Sequence, residues 1–298
     1  ERRATTGGGL KEKVEVSPLA IGVEGSSIYL KDGEKIPMED LLYGLMLRSG
    51  NDAAVAIAEE VGPGTQRFVE KMNRRAKKAG ACATSFVNPN GLHDENHYTT
   101  AKDMAVIAQE AMRNEHFRRI ASAKNWTAKR GIGGFNYFIT KNKVVYEYDG
   151  GTGIKIGFTK NAGRTLVASA KRDEMELICV VLNAPDWFQD TYKLMDYGFE
   201  HYQSKLIVGG ERPVRSIMVL GGEKKQVKIG TKNNATVSIE KGKPSHISIA
   251  YDIPKVVEAP VSRWDLAGTL KVFHEDAYLY AEPLYYLEDM ERKDGDEQ

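Results

Sequence analysis

The sequence of 298 residues has few cysteines, no long apolar run and no excess of charge of either sign. Its two cysteines, Cys82 and Cys179, exclude a framework of several disulfides, and we expect both to be small buried side chains. No segment is long and apolar enough to span a bilayer as a helix. Because 42 Lys and Arg residues balance 41 Asp and Glu residues, net charge does not favour nucleic acid or an anionic membrane. A small or neutral ligand fits this balance better.

The periodicity of apolar residues changes twice along the chain. It predicts two helices over residues 37–60 that meet at Ser49-Gly50-Asn51, further helices over 65–79 and from Thr100, and a last helix over 188–201. Between them, three alternating segments predict antiparallel strands at residues 155–158, 165–170 and 176–182. After residue 206 only short strand patterns occur. We therefore predict an α/β (α+β) domain over residues 1–205 and a β-rich domain over 206–298.

Two short elements could carry chemistry, Ser49-Gly50-Asn51 and Lys155-Ile156-Gly157. Each pattern also arises by chance in chains of this length. The simpler interpretation of the first element is an ordinary turn between helices, because Ser, Gly and Asn all favour turns. The simpler interpretation of the second is the end of a strand. The amino-acid sequence around each element decides between these interpretations.

Several long segments around the two elements are distinctive. Residues 25–34 precede Ser49, residues 40–54 include it, and residues 86–93 contain the turn Asn88-Pro89-Asn90-Gly91. Residues 97–104 and 153–163 are the other distinctive segments, and the last of them contains Lys155-Ile156-Gly157. Together they resemble the serine-type D-alanyl-D-alanine carboxypeptidases of peptidase family S11, the low-molecular-mass penicillin-binding proteins. The resemblance covers nearly the whole chain. It implies a penicillin-recognising, transpeptidase-like domain with an antiparallel sheet and helices, followed by an all-β C-terminal domain.

The resemblance also implies a function. Such enzymes remove the terminal D-alanine from peptidoglycan stem pentapeptides through an acyl-enzyme, and β-lactam antibiotics acylate the same serine. They need no cofactor or metal and act in the bacterial cell envelope, outside the cytoplasm. In this interpretation Ser49 relays a proton, Asn51 binds the substrate's peptide group and Lys155 supplies positive charge. The implied substrate-binding residues on the same strand are Ile156, Gly157, Phe158, whose N–H donates to the oxyanion, and Thr159.

Two departures from the family pattern stand out. The family signature begins with a Ser-x-x-Lys that carries the nucleophile, and no such element precedes Ser49. The one formal match, Ser238-Ile239-Glu240-Lys241, falls among predicted strands, and we do not expect it to be catalytic. Residues 1–6 look like the end of a helix that begins upstream, so we expect truncation rather than natural loss. The second departure is Ile156, because the family has a hydroxyl there that binds the substrate carboxylate; its loss should weaken binding about tenfold to a hundredfold.

Two other interpretations remain open. One is a non-catalytic peptidoglycan-binding relative that has lost its nucleophile, and the other is an unrelated globular domain with chance motifs. His93 and His97 imitate metal-ligand spacing but follow Gly91 in a predicted loop. The basic residues 71–78 have no interleaved aromatic residues for nucleic-acid stacking. Residues 286–298 show no apolar face, so we expect at most peripheral membrane contact, through an anchor that this chain lacks.

Overall fold

A computed structural model describes residues 9–130 and 135–293 of the chain. Contacts between Cα atoms divide it into two compact units, with the division between Gly198 and Phe199. The expectation that residues 1–6 end a helix falls outside the described residues. Within the described part, no helix is both long enough and apolar enough to cross a membrane.

The first unit contains most of the helices. The helices predicted on either side of Ser49-Gly50-Asn51 are present, and the helix predicted over residues 65–79 has those bounds. Thr100 caps the fourth helix by accepting a hydrogen bond from the backbone N–H of Asp103, as its sequence position predicts. In chain order the helices are α1 (Met38–Arg48), α2 (Asn51–Val61), α3 (Thr65–Ala79), α4 (Ala101–Met112), α5 (Glu115–Ala121), α6 (Val144–Glu147) and α7 (Trp187–His201).

The strands of the first unit are all antiparallel. Two short pairs join β1 (Lys13–Glu15) to β2 (Lys35–Pro37) and β3 (Asn125–Thr127) to β4 (Tyr137–Ile139). The main sheet has the order β5-β6-β7, which confirms the antiparallel arrangement predicted from sequence. Its strands span β5 (Gly151–Thr159), β6 (Gly163–Arg172) and β7 (Met175–Val181); β5 and β6 are longer than predicted, and β7 is shifted by one residue.

Two hydrophobic clusters fix the helices of this unit. Leu41 and Leu47 of α1 pack with Ile28 and Phe138, all fully buried, so the carboxyl end of α1 is held from several sides. A second cluster joins α4 and α5 to the main sheet through Ala108, Met112, Ala121, Ile154 and Val167. The first cluster contains residues of both α1 and α2, and the second contains residues of β5. The segments that carry Ser49-Gly50-Asn51 and Lys155-Ile156-Gly157 are therefore held by well-packed hydrophobic side chains.

Some sequence predictions about burial were wrong. Cys179 is buried as predicted, but Cys82 is exposed, because it lies in the loop just after α3 has ended. The apolar pattern of the helix predicted over residues 188–201 puts both Leu194 and Met195 on the sheet, yet Leu194 is 54% exposed, whereas Met195 is buried. Consecutive helical residues point about 100° apart, and at this point of the helix only the side that carries Met195 is covered.

The second unit is all-β. Strand β8 (Tyr202–Val208) pairs with β11 (Ala235–Glu240), and the larger sheet has the order β12-β14-β15-β10-β9-β13. The sequence predicted neither β8 nor the short β13, and the boundary predicted after residue 205 falls inside β8. The core of the unit includes the fully buried Ile217, Ile229, Leu270 and Leu284. The remaining strands are β9 (Arg215–Leu220), β10 (Gln226–Gly230), β12 (Ile247–Asp252), β13 (Val256–Glu258), β14 (Leu266–His274) and β15 (Ala277–Tyr286).

Candidate active site

The turn between α1 and α2 presents Ser49. Its backbone is left-handed, with φ 58° and ψ 38°, and its N–H caps α1 by donating to the carbonyl of Gly44. Gly50 then starts α2, and a Cβ at this position would lie 2.9 Å from Asp52 Oδ1 and 3.2 Å from Ile28. Only glycine fits so close to these atoms. The turn therefore requires a small residue at Gly50, and it presents the Ser49 hydroxyl toward Lys155.

Asn51 is held by the chain segment that precedes α1. Its backbone N–H donates to the carbonyl of Ser26 at 2.7 Å, and its side-chain Nδ2 donates to the carbonyl of Glu24 at 2.6 Å. A Cβ on Gly25 would lie 2.6 Å from Nδ2, so the segment approaches the amide as closely as a glycine allows. These contacts fix which way the Asn51 amide faces.

Lys155 on β5 joins the second element to the first. Its Nζ donates a hydrogen bond to Ser49 Oγ and another, 2.8 Å long, to the carbonyl of Ile156. Burial, and secondarily the positive charge of Lys141, lower the pKa of Lys155 to about 8. Lys155 is thus still mostly protonated at neutral pH, as a donor to the serine.

Sequence reasoning missed two further cations beside this pair. Lys141 Nζ lies 3.2 Å from Ser26 Oγ, and Arg48 donates to the carbonyl of Ile139 at 3.2 Å. Burial, followed by the charge of Arg48, lowers the pKa of Lys141. Among the described residues, no carboxylate lies within 4.0 Å of the charged nitrogens of Arg48, Lys141 or Lys155. Lys141 lies in the loop before α6 and belongs to no sequence motif, so its position beside Lys155 is seen only in the structure.

The other predicted residues continue along β5. A Cβ on Gly157 would lie 2.7 Å from Thr165 Oγ1, which donates to the carbonyl of Gly157 at 3.1 Å. Phe158 is 66% exposed. The hydroxyl of Thr159 accepts from the backbone N–H of Ala162 at 2.9 Å, which shapes the hairpin to β6. The structure therefore brings Ser49 and Lys155 into direct contact, while Phe158 and Thr159 lie farther along the strand.

The alternative metal site receives no support from the geometry. His93 and His97 lie in a loop as predicted; His93 Nε2 is 3.0 Å from Asn161 Nδ2, and His97 Nδ1 accepts from the backbone N–H of Val87 at 3.5 Å. Across residues 9–130 and 135–293, no group of three or more His, Cys, Asp and Glu side chains is arranged to hold a metal ion. Ser238 of the formal Ser-x-x-Lys match lies on β11 in the second unit, away from any helix start.

Comparison with known proteins identifies two domains. The sequence profile of the D-alanyl-D-alanine carboxypeptidases, peptidase family S11, matches residues 9–186. The profile of the C-terminal domain of penicillin-binding protein 5 matches residues 202–292. The carboxypeptidase DacF of Bacillus subtilis is 30% identical over 287 residues, which are 95% of this chain and 74% of that protein. DacA of Haemophilus influenzae is 32% identical over 255 residues, which are 82% of this chain and 63% of that protein.

Solved structures agree with these sequence relationships. Penicillin-binding protein 5 of Haemophilus influenzae superposes with a TM-score of 0.66 at 28% identity, covering 95% of this chain and 84% of the other. A point mutant of the Streptomyces K15 DD-transpeptidase superposes with a TM-score of 0.61 at 33% identity, covering 64% of this chain and 80% of the other. The chain belongs to the D-alanyl-D-alanine carboxypeptidase family.

Proposed function

We propose that this protein is a serine-type D-alanyl-D-alanine carboxypeptidase, which removes the terminal D-alanine from peptidoglycan stem peptides and is acylated by β-lactam antibiotics. The hydrogen bond from Lys155 Nζ to Ser49 Oγ carries this proposal, because it joins two elements 106 residues apart into one acid–base pair. Family membership over residues 9–186 supports the reaction class. The reaction uses protein groups only, so no cofactor is proposed.

The Ser49–Lys155 pair fits the step in which the peptide bond breaks. The nucleophilic serine forms a bond to the carbonyl carbon, the C–N bond breaks, and the leaving amine of D-alanine must gain a proton. Ser49 can pass its hydroxyl proton to that nitrogen and take up the proton that the nucleophilic hydroxyl releases, while Lys155, protonated at neutral pH, donates a hydrogen bond to the Ser49 oxygen. Water then hydrolyses the acyl-enzyme and restores the serine. Ser49 is thus the proton relay and Lys155 its electrostatic partner.

The surrounding groups fit the substrate. A peptide that ends in D-Ala-D-Ala has a terminal carboxylate, which matches the positive charge of Lys155 and Lys141. In this proposal the Asn51 amide binds the peptide group. Gly157 leaves room along the edge of β5, and the backbone N–H of Phe158 would donate to the oxyanion. Ile156 and Thr159 complete the proposed substrate contacts on this strand.

The nucleophile belongs to the proposal as well. The family carries it in a Ser-x-x-Lys, whereas residues 1–48 contain none and the match at Ser238 lies in the second unit. Acylation of the protein is therefore the decisive test. Because the proposed substrate is cell-wall peptidoglycan, we propose that the protein acts in the bacterial cell envelope, outside the cytoplasmic membrane.

The test is the intact mass of the full gene product with and without benzylpenicillin. We expect the protein mass to increase by that of one penicillin molecule. This adduct should form much more slowly in Lys155→Ala. It should form at the normal rate in the control Lys143→Ala, because Lys143 lies on the surface and pairs with Glu147. A full gene product that gains no mass, yet binds a D-Ala-D-Ala peptide in calorimetry, would refute the enzyme and support a peptidoglycan-binding protein that has lost its nucleophile. Absence of both adduct and binding would refute both functions.

A further inference from the structure

Asp52 is a buried carboxylate that the proposed chemistry does not use. It follows Asn51 directly in the sequence, and its side chain is 2% exposed. Its carboxylate accepts hydrogen bonds from Ser27 Oγ at 2.5 Å, from the backbone N–H groups of Ile28 and Leu30 at 3.1 Å, and from its neighbour Ala53 at 2.9 Å. So many donors converging on a single carboxylate hold that stretch of backbone firmly in place.

The chain that Asp52 holds also contacts the active site. We call residues 24–30 the strap. At one end, the carbonyls of Glu24 and Ser26 accept the two hydrogen bonds from Asn51. The Ser26 hydroxyl also accepts a hydrogen bond from Lys141 Nζ. At the other end, Asp52 binds Ser27 and the two N–H groups beyond it. The strap therefore links Asp52 to both the Asn51 amide and the Lys141 cation.

The strap has a conformation that needs support. Tyr29 adopts a left-handed backbone, with φ 59°, which is unfavourable for a bulky side chain. Besides Asp52, Arg130 also holds the strap: it donates to the carbonyls of Ile28 at 2.8 Å and Tyr29 at 3.0 Å, and it forms a buried ion pair with Glu34. Two separate anchors hold the strained segment, so loss of one should let it relax.

We propose that Asp52 is a positioning residue for substrate binding, which acts through the strap on Asn51 and Lys141 rather than on the Ser49–Lys155 pair. The inference rests on the proposed function, because it assumes that Asn51 and Lys141 contact the substrate. Among the described residues, Ser49 and Lys155 make their hydrogen bonds to Gly44, to Ile156 and to each other, and none of these bonds involves the strap. Loss of Asp52 should therefore weaken binding more than it slows the chemical step.

The test variant is Asp52→Asn in the full gene product. An amide keeps one acceptor oxygen and turns N–H groups toward the backbone donors of the strap, which breaks at least one of these hydrogen bonds. The matched control is Asp103→Asn. Asp103 is also a buried aspartate in the first turn of a helix, and it accepts from the backbone N–H of Ala83 and from the Thr84 hydroxyl, both at 2.7 Å. These hydrogen-bond partners lie outside both the strap and the predicted site.

We expect Asp52→Asn to raise the KM for a D-Ala-D-Ala peptide roughly five- to tenfold, the factor for one hydrogen bond, with kcat changed less than about threefold. Calorimetric affinity for the peptide should fall by the same factor. Asp103→Asn should leave the KM and the calorimetric affinity unchanged. Ser27→Ala, which removes one bond to Asp52, serves as the milder variant if Asp52→Asn does not fold, and should produce a smaller change in the same direction.

The outcomes separate this inference from the proposed function. A parent protein that neither turns over nor binds the peptide contradicts the proposed function and with it the inference. If the parent binds the peptide, but folded Asp52→Asn and Ser27→Ala have the same KM and affinity as the parent, the inference alone is contradicted. Equal losses in Asp52→Asn and Asp103→Asn would also overturn it, because they would show a general structural effect.

Discussion

The substitution Ile156→Thr should strengthen substrate binding. The family signature has a hydroxyl at this position of the Lys-Thr-Gly element, and this chain has an aliphatic side chain. Lys155 Nζ bonds to Ser49 and to the backbone carbonyl of residue 156, so its ammonium group stays in place whichever side chain follows it. The substitution therefore adds one hydroxyl to a site whose charge is already present.

The magnitude follows from the bond that the hydroxyl can make. A hydrogen bond to a charged group contributes about 1.5–3 kcal/mol, which is about a tenfold to hundredfold gain in affinity. A stability cost accompanies it. Ile156 is partly buried and pairs with the buried Leu166 across β5 and β6, so the lost apolar area should lower the free energy of unfolding by about 1 kcal/mol.

Two assays on the full gene product measure this gain. One is the second-order rate of acylation by a fluorescent penicillin, and the other is the dissociation constant of a D-Ala-D-Ala peptide in calorimetry, which requires no nucleophile. Ile156→Val is the matched control, because valine has the shape of threonine without the hydroxyl. If Ile156→Thr and Ile156→Val behave alike in both assays, the hydroxyl makes no bond to the carboxylate and the reasoning is refuted.

Three further predictions concern Lys155, Gly157 and a buried ion pair. Folding lowers the pKa of Lys155 from its ordinary 10.5 to about 8, so the unfolded chain binds more protons between these values. The free energy of unfolding should therefore rise from about pH 8 to 10.5, and Lys155→Met should remove that rise in urea titrations. Gly157→Ala should destabilise the protein, since its methyl would lie 2.7 Å from Thr165 Oγ1; a double-mutant cycle with Thr165→Ala should recover part of the loss. Glu34→Gln should lower the free energy of unfolding by about 3–5 kcal/mol, because it leaves the Arg130 charge buried without its partner; a loss below about 1 kcal/mol in denaturant unfolding contradicts this.

Local patterns were enough to predict the elements that carry the candidate site. The 3.6-residue period predicted α1 and α2 on either side of Ser49, and alternation predicted the antiparallel strand that carries Lys155. Both signals depend on residues only a few positions apart. The short α5, the short β13 and strand β8 gave weaker patterns, because few residues in each are fully buried.

Contacts between distant segments could not be predicted in the same way. Asp52 binds groups 22 to 25 residues before it in the sequence, and Lys141 meets Ser26 across 115 residues. Neither residue belongs to a repeating pattern, and a single aspartate or lysine is most often a solvated side chain. Their positions depend on how α1, α2 and the strap pack together, which is a property of the tertiary structure.

The positions of the cations would let the proposed site bind an anionic substrate despite Ile156. Coulomb attraction falls slowly with distance and needs no alignment, whereas a hydrogen bond requires a donor within about 3 Å at the right angle. In the proposed site, Lys155 and Lys141 would supply this attraction to the substrate carboxylate without the hydroxyl. A peptide whose terminal carboxylate is replaced by an amide should therefore bind more weakly to both the parent protein and Ile156→Thr. The difference in affinity between the carboxylate peptide and the amide peptide should be larger in Ile156→Thr, because only in that variant does a directional hydrogen bond add to the attraction between charges.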